Sequence, residues 1–144
     1  MHTELINGIT IRPLRNGERG VVQAVFDRLG PRSRLLRFGG AKNVLLPADL
    51  DQLSRVDASH HVIVALVRDE PIGIARLVRE GDAAEVAFAV ADEWQGRGVG
   101  SVLVDRLAAD ARAAGIVRFT ATVSEGNEPS LALLRRLRAQ VVWA

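Results

Sequence analysis

The chain has 144 residues, enough for one compact domain with a sizeable core, and its 48% hydrophobic and 25% charged residues make an ordinary globular balance. No apolar run is long enough to span a bilayer and no basic-then-apolar leader opens the chain, so the expectation is a cytoplasmic protein without membrane contact. The formal charge is only +2, and with no Cys or Tyr to titrate, the pI of about 10.3 is poor evidence for a nucleic-acid partner; none is expected.

Ile9-Thr10-Ile11-Arg12-Pro13 alternates apolar and polar residues and reads as a first strand. From Gly17 to Leu29, Val21, Val22, Val25, Phe26 and Leu29 share one helical face, which Gly30-Pro31 ends. Ser33–Phe38 and Pro47–Leu53 are short helical candidates. His61–Val67 is a continuous apolar, β-branched run, as expected of a strand covered on both faces. Ile72–Arg79 and Ala84–Ala91 follow across tight turns, so three antiparallel strands are expected in a meander. Val99, Val102, Leu103, Leu107, Ala111 and Ala114 make the stripe of a long amphipathic helix closed by Gly115. A strand from Val117 to Val123, a helix from Leu131 to Arg138 and a short strand from Gln140 complete the pattern. No repeat, linker or low-complexity segment interrupts it, so one domain over residues 1–144 is expected.

The chemistry concentrates between Ala84 and Leu107. In the strand, Val86, Phe88 and Val90 point one way, while Glu85, Ala87, Ala89 and Ala91 point the other. The small side chains resemble the floor of a cleft with one carboxylate at its end; an edge strand with Glu85 in water is the plain alternative. Next come Gln95-Gly96-Arg97-Gly98-Val99-Gly100 and the helix. Glycines allow close approach of backbone N–H groups to an anion, and a helix N-terminus adds unsatisfied donors and a positive dipole end. The loop fits neither a dinucleotide fingerprint, since Ser101 replaces the third glycine, nor a Walker A loop. With no Cys there is no disulfide, thiolate zinc site or cysteine nucleophile, and the adjacent His60 and His61 point to opposite strand faces, so no metal is expected.

Gln95, Gly98 and Gly100 match Gln/Arg-x-x-Gly-x-Gly/Ala, the motif that follows the fourth strand and opens a long helix in the GNAT N-acetyltransferase superfamily. Asn127, Ser130 and the helix behind them match its second signal. Arg32–Phe38, Val56-Asp57 with His61, and Ala84-Glu85-Val86-Ala87-Phe88 make the chain most similar to the GNAT domain of bacterial protein-lysine acetyltransferases. The resemblance implies an α/β (α+β) GNAT fold: a mixed, mostly antiparallel sheet with helices on both faces, ending at Ala144 without the usual last strand. The unpaired edge this leaves would be a route to a homodimer.

The resemblance further implies acetyl-CoA as co-substrate and a primary amine, such as a protein lysine, as acceptor. Glu85 matches the catalytic glutamate, with partial burial beside alanines expected to raise its proton affinity. Backbone groups of Ala87, Phe88, Ala89 and Val90 would hold the pantetheine arm, and Gln95, Gly96, Arg97, Gly98, Val99 and Gly100 the pyrophosphate. Asn127 would hydrogen-bond the cofactor or cap a helix. Leu134 occupies the position of the tyrosine that protonates the leaving thiolate in many relatives. Arg32, Ser33, Arg37 and Phe38 lie where GNAT folds shape the acceptor pocket, with core or surface packing the plain alternative, and Arg135 and Arg136 stand near the cofactor phosphates or at a solvated helix end. A non-catalytic acyl-CoA-binding module and a small-molecule amine acetyltransferase are the alternative readings.

Overall fold

The chain opens on a hairpin. β1 (Glu4–Ile6) and β2 (Ile9–Pro13) are joined by Asn7-Gly8, whose φ angles of 51° and 79° are both positive, as the tightest hairpin turns require. β1 was not expected from the hydrophobic pattern, but the Asn-Gly pair is its signature. A computed structural model of the chain describes residues 3–38, 44–123 and 128–143; side chains at 35–38, 123, 128, 129 and 143 fall outside that description. Next come α1 (Arg19–Asp27), α2 (Pro31–Phe38) and α3 (Pro47–Leu53). The meander is β3 (His60–Val67), β4 (Glu70–Glu80) and β5 (Ala83–Val90), antiparallel throughout as expected. A 3-10 turn (Asp92–Trp94), α4 (Val99–Ala113), β6 (Arg118–Val123), α5 (Glu128–Leu137) and β7 (Gln140–Trp143) complete the order.

The strands lie side by side in chain order, antiparallel from β1 to β5 and parallel from β5 to β7. The change follows from the connections. Tight turns make β1–β2 and the β3–β5 meander antiparallel, and β2 and β3 are antiparallel with α1–α3 between them. For the parallel pairs, α4 and α5 carry the chain back to the starting end of the sheet. The expected mixed, mostly antiparallel sheet is therefore present.

Its two faces separate by alternation. Ile63, Ala65, Ala75, Leu77 and Val86 pack with Val99, Leu103, Val104 and Leu107 of α4. The intervening Val62 and Ile74 join Leu14, Leu45, and Val22 and Phe26 of α1. Helices thus cover both faces. Gly73 permits the close approach of α4: a Cβ there would stand 3.0 Å from Leu103 Cδ1 and 3.2 Å from Val99 Cγ1.

Among the described residues one cation is buried in this arrangement. Arg106 of α4 is only 6% exposed; its guanidinium donates to Asp110 (3.0 and 3.2 Å) and to Glu4 of β1 (2.9 Å). Asp110 also bonds His61 Nε2 at 2.8 Å, so β1, β3 and α4 are tied through one ionic network.

Candidate active site

β5 and β6 pair only where Ala83–Glu85 meets Arg118–Thr120, although β5 runs on to Val90 and β6 to Val123. Beyond Glu85 the strands part. From that point the main-chain groups of β5 that would bond β6 have no ladder partner there. A cavity of about 430 Å³ fills the gap, lined by Val86, Ala87, Phe88, Ala89 and Val90 on one side and Ala121 and Thr122 on the other. Gln95, Gly96, Gly98, Gly100 and Ser101 line its open end.

The loop at that end is shaped by left-handed glycines. Gly96 and Gly98 have φ of 74° and 86°, and a Cβ at either would meet nothing within 4 Å. Gly98 is the N-cap of α4 and no side chain caps the helix, so its first-turn N–H groups and positive dipole end face the cavity mouth. Arg97 is exposed, its guanidinium 5.0 Å from the centre of the Trp94 ring. Gln95 turns back instead: its Nε2 donates to Val90 O (3.0 Å) and Ser33 Oγ (3.2 Å).

That contact belongs to a brace the sequence did not reveal. Asp92 accepts from the backbone N–H of Gly30 (3.0 Å) and the hydroxyl of Ser33 (2.6 Å), capping α2 from the loop side of the sheet. Of the residues expected near the acceptor pocket, Ser33 therefore lines the cavity and Arg32 is exposed. The side chains of Arg37 and Phe38 lie outside the described residues.

Glu85 sits on the last rung before the strands part, opposite Thr120. It is solvent-exposed, so the partial burial expected beside the alanines is not observed. Ala87 and Ala89 share its face, but Ala91 is fully buried, past the strand end, and donates its N–H to Ile72 O at 2.8 Å; it is no part of the cleft floor. Val99 is buried in the core at 1% exposure. On α5, Leu134 is 1% exposed and lines the cavity, so hydrocarbon stands where relatives place a phenol. Asn127 lies outside the described residues.

Arg136 is engaged elsewhere, bonding Asp105 of α4 at 2.6 and 2.8 Å and pulling that carboxyl below its ordinary pKa; Arg135 is exposed. His60 and His61 do diverge: His60 Nδ1 meets Asp57 at 2.8 Å while His61 meets Asp110. The His60 contact, then the Ser59 backbone N–H and the Arg55 guanidinium, hold the Asp57 carboxyl far below the usual range.

The model of the acetyltransferase (GNAT) family matches residues 33–138. Acetyltransferase PA5475 of Pseudomonas aeruginosa is 34% identical over 126 residues, covering 83% of this chain and 68% of that protein. Acetyltransferase Pat of Mycolicibacterium smegmatis is 39% identical over 100 residues, 65% of this chain, but the match spans only 29% of that longer protein. Among solved structures, the GNAT domain of S. lividans PAT superposes with a TM-score of 0.83 at 28% identity, covering 90% of this chain and 80% of that one. The family match takes in every strand, loop and helix that builds the gap between β5 and β6, and the protein belongs to the acetyltransferase (GNAT) family of enzymes.

Proposed function

We propose that this protein moves an acetyl group from acetyl-CoA to a primary amine, with protein lysine as the acceptor class and Glu85 as general base. The observation that carries the reading is the parting of β5 and β6 at Glu85, which puts a carboxylate on the strand residue next to Val86, where the lining of a cavity that also takes in the glycine loop begins. Acetyltransferase Pat of M. smegmatis and the GNAT domain of S. lividans PAT support acetyl transfer, and the acceptor class rests on the Arg32–Phe38 and Ala84–Phe88 resemblance.

Acetyl-CoA supplies the activated thioester, and the chain's own residues hold and orient it. The N–H groups of Gly96 to Gly100 and the α4 dipole receive the pyrophosphate. Along Ala87, Phe88, Ala89 and Val90, those main-chain groups that face away from β4 receive the pantetheine arm in place of a β6 ladder, and an N–H among them polarises the thioester carbonyl. Asn127 belongs to the same cofactor set by its motif.

An alkylammonium has a pKa of about 10, so at neutral pH it is not a nucleophile until a base takes its proton. Glu85 does so at the apex and, being exposed, passes the proton to water. The neutral amine attacks the carbonyl carbon, the C–S bond breaks as the amide forms, and the amide nitrogen loses its second proton. Leu134 has no proton to give, so the leaving thiolate is protonated by water.

The test is thiol release from acetyl-CoA with lysine-bearing proteins and free amines, with acetylated product identified by mass. Binding is measured separately with Gly98→Val, whose left-handed backbone would cost a side-chain-bearing residue about 1–2 kcal/mol. Acetylated lysine product and at least tenfold weaker acetyl-CoA binding by the variant are expected. Acetyl-CoA binding without turnover on any amine would refute the reading.

A further inference from the structure

The sheet face that carries Glu85 holds another charged side chain, not used by the transfer step above. Arg76 stands on β4 opposite Ala87, two register positions along from the Val78–Glu85 pair. The two residues are therefore diagonal neighbours on one face, roughly 7–8 Å apart at the backbone. A second, small cavity of about 40 Å³ lies under α1, and Arg76 is the one polar side chain among the described residues that line it. This cavity shares Leu29, Ala87, Phe88 and Ala89 with the larger one, so the two meet across the strand at the cleft floor.

The Arg76 guanidinium is short of partners. One terminal nitrogen donates to Gln52 O of α3 at 3.3 Å, and its Nε is buried with no hydrogen-bond partner. Burial pushes its pKa down, opposed by the charge of Glu85 and reinforced by that of Arg55. A half-buried cation in this condition is unfavourable by itself. Arginine is also the side chain best suited to take a carboxylate through two parallel N–H···O bonds. Glu85 and Arg76 thus present opposite charges side by side, with small apolar groups between the two cavities.

We propose that the acceptor brings a carboxylate with its amine: the ammonium meets Glu85 and the carboxylate meets Arg76. This deepens the transferase reading and rests on it. The carboxylate has two sources, the acceptor's own in a free amino acid or an acidic side chain beside a lysine in a polypeptide.

Matched pairs decide it: L-lysine against cadaverine, L-phenylalanine against phenethylamine, and two lysine peptides flanked by Asp or by Asn. Each is titrated calorimetrically into the CoA-loaded protein and assayed with acetyl-CoA for thiol release. The carboxylate-bearing member is expected to bind roughly 10- to 100-fold more tightly in at least one kind of pair, the range of a hydrogen-bonded charge. Preference within the amino-acid pairs identifies the acceptor's own carboxylate; preference confined to the peptides identifies a flanking acid. The ratio within a pair is the readout, because Arg76 acts on Glu85 whatever the acceptor. Arg76→Gln should bring that ratio to about one and Arg76→Lys to an intermediate value, both with native melting curves. Equal binding within every wild-type pair, or a ratio that survives Arg76→Gln, overturns the proposal. If no amine is acetylated, the transferase reading fails while the calorimetric ratio still decides on Arg76.

Discussion

Gly30→Ala tests whether the cofactor loop and the α1–α2 corner act as one unit. Gly30 needs no unusual backbone; what constrains it is Asp92, whose carboxylate stands where a Cβ would go. The added methyl must displace that carboxylate and break its bond from the Gly30 N–H (3.0 Å), and the Ser33 bond (2.6 Å) with it. Hydrogen bonds to a charged acceptor contribute about 1.5–3 kcal/mol each when buried. These are exposed, and alanine regains about 0.4–1 kcal/mol by restricting the unfolded chain. The net loss should be about 1–2 kcal/mol, a fall in Tm of roughly 2–8 °C for a domain of this size. Thermal melts of the wild type, Gly30→Ala, Asp92→Ala and the double variant separate the cause. With the carboxylate already gone, Gly30→Ala should be neutral or slightly stabilising. An equal cost in both backgrounds would refute the reasoning.

Two further outcomes follow from ionic contacts. Asp110→Ala removes a partner of a cation only 4% exposed at its side chain and should cost about 2–4 kcal/mol, read as a lower urea midpoint; a loss below about 0.5 kcal/mol would show that Arg106 is satisfied without Asp110. The Arg12 guanidinium lowers the pKa of Glu18 in the folded chain, so the associated stability is fully present above the unfolded carboxyl value and is lost as pH falls through the lower folded value. Glu18→Gln should therefore lower Tm most near pH 7, flatten its decline between about pH 5 and pH 3, and converge with the wild type at lower pH.

The elements legible in the sequence were those whose signal is local and periodic. The β-branched run at β3, the stripe of α4 and the strand–glycine–helix order all depend on neighbours within a turn or a rung. β1 was missed because three residues carry too little alternation, although Asn7-Gly8 marked the hairpin. The Asp92 brace and the setting of Arg76 join residues from distant segments, 62 positions apart for Gly30 and Asp92, and no spacing rule reaches that far. Exposure was equally out of reach. Glu85 was placed on the right face, but whether that face is covered depends on α1, α2 and the parting of β6. Leu134, in contrast, could be recognised from its motif position, and its burial at the cavity wall follows from the apolar face of α5.

The most direct test of the central claim is the pH dependence of acetyl transfer by Glu85→Gln beside the wild type, with acetyl-CoA affinity measured on both. A base is needed only while the amine is protonated, so kcat should fall about 10²- to 10⁴-fold near pH 7 and recover toward the wild-type rate as pH approaches about 10. Acetyl-CoA should bind both proteins within twofold, since Glu85 lies at the last β5–β6 pair and is not among the residues that line the cavity. Turnover at pH 7 unchanged by the substitution, or a deficit that stays constant up to pH 10, would contradict the assignment of Glu85 as the base.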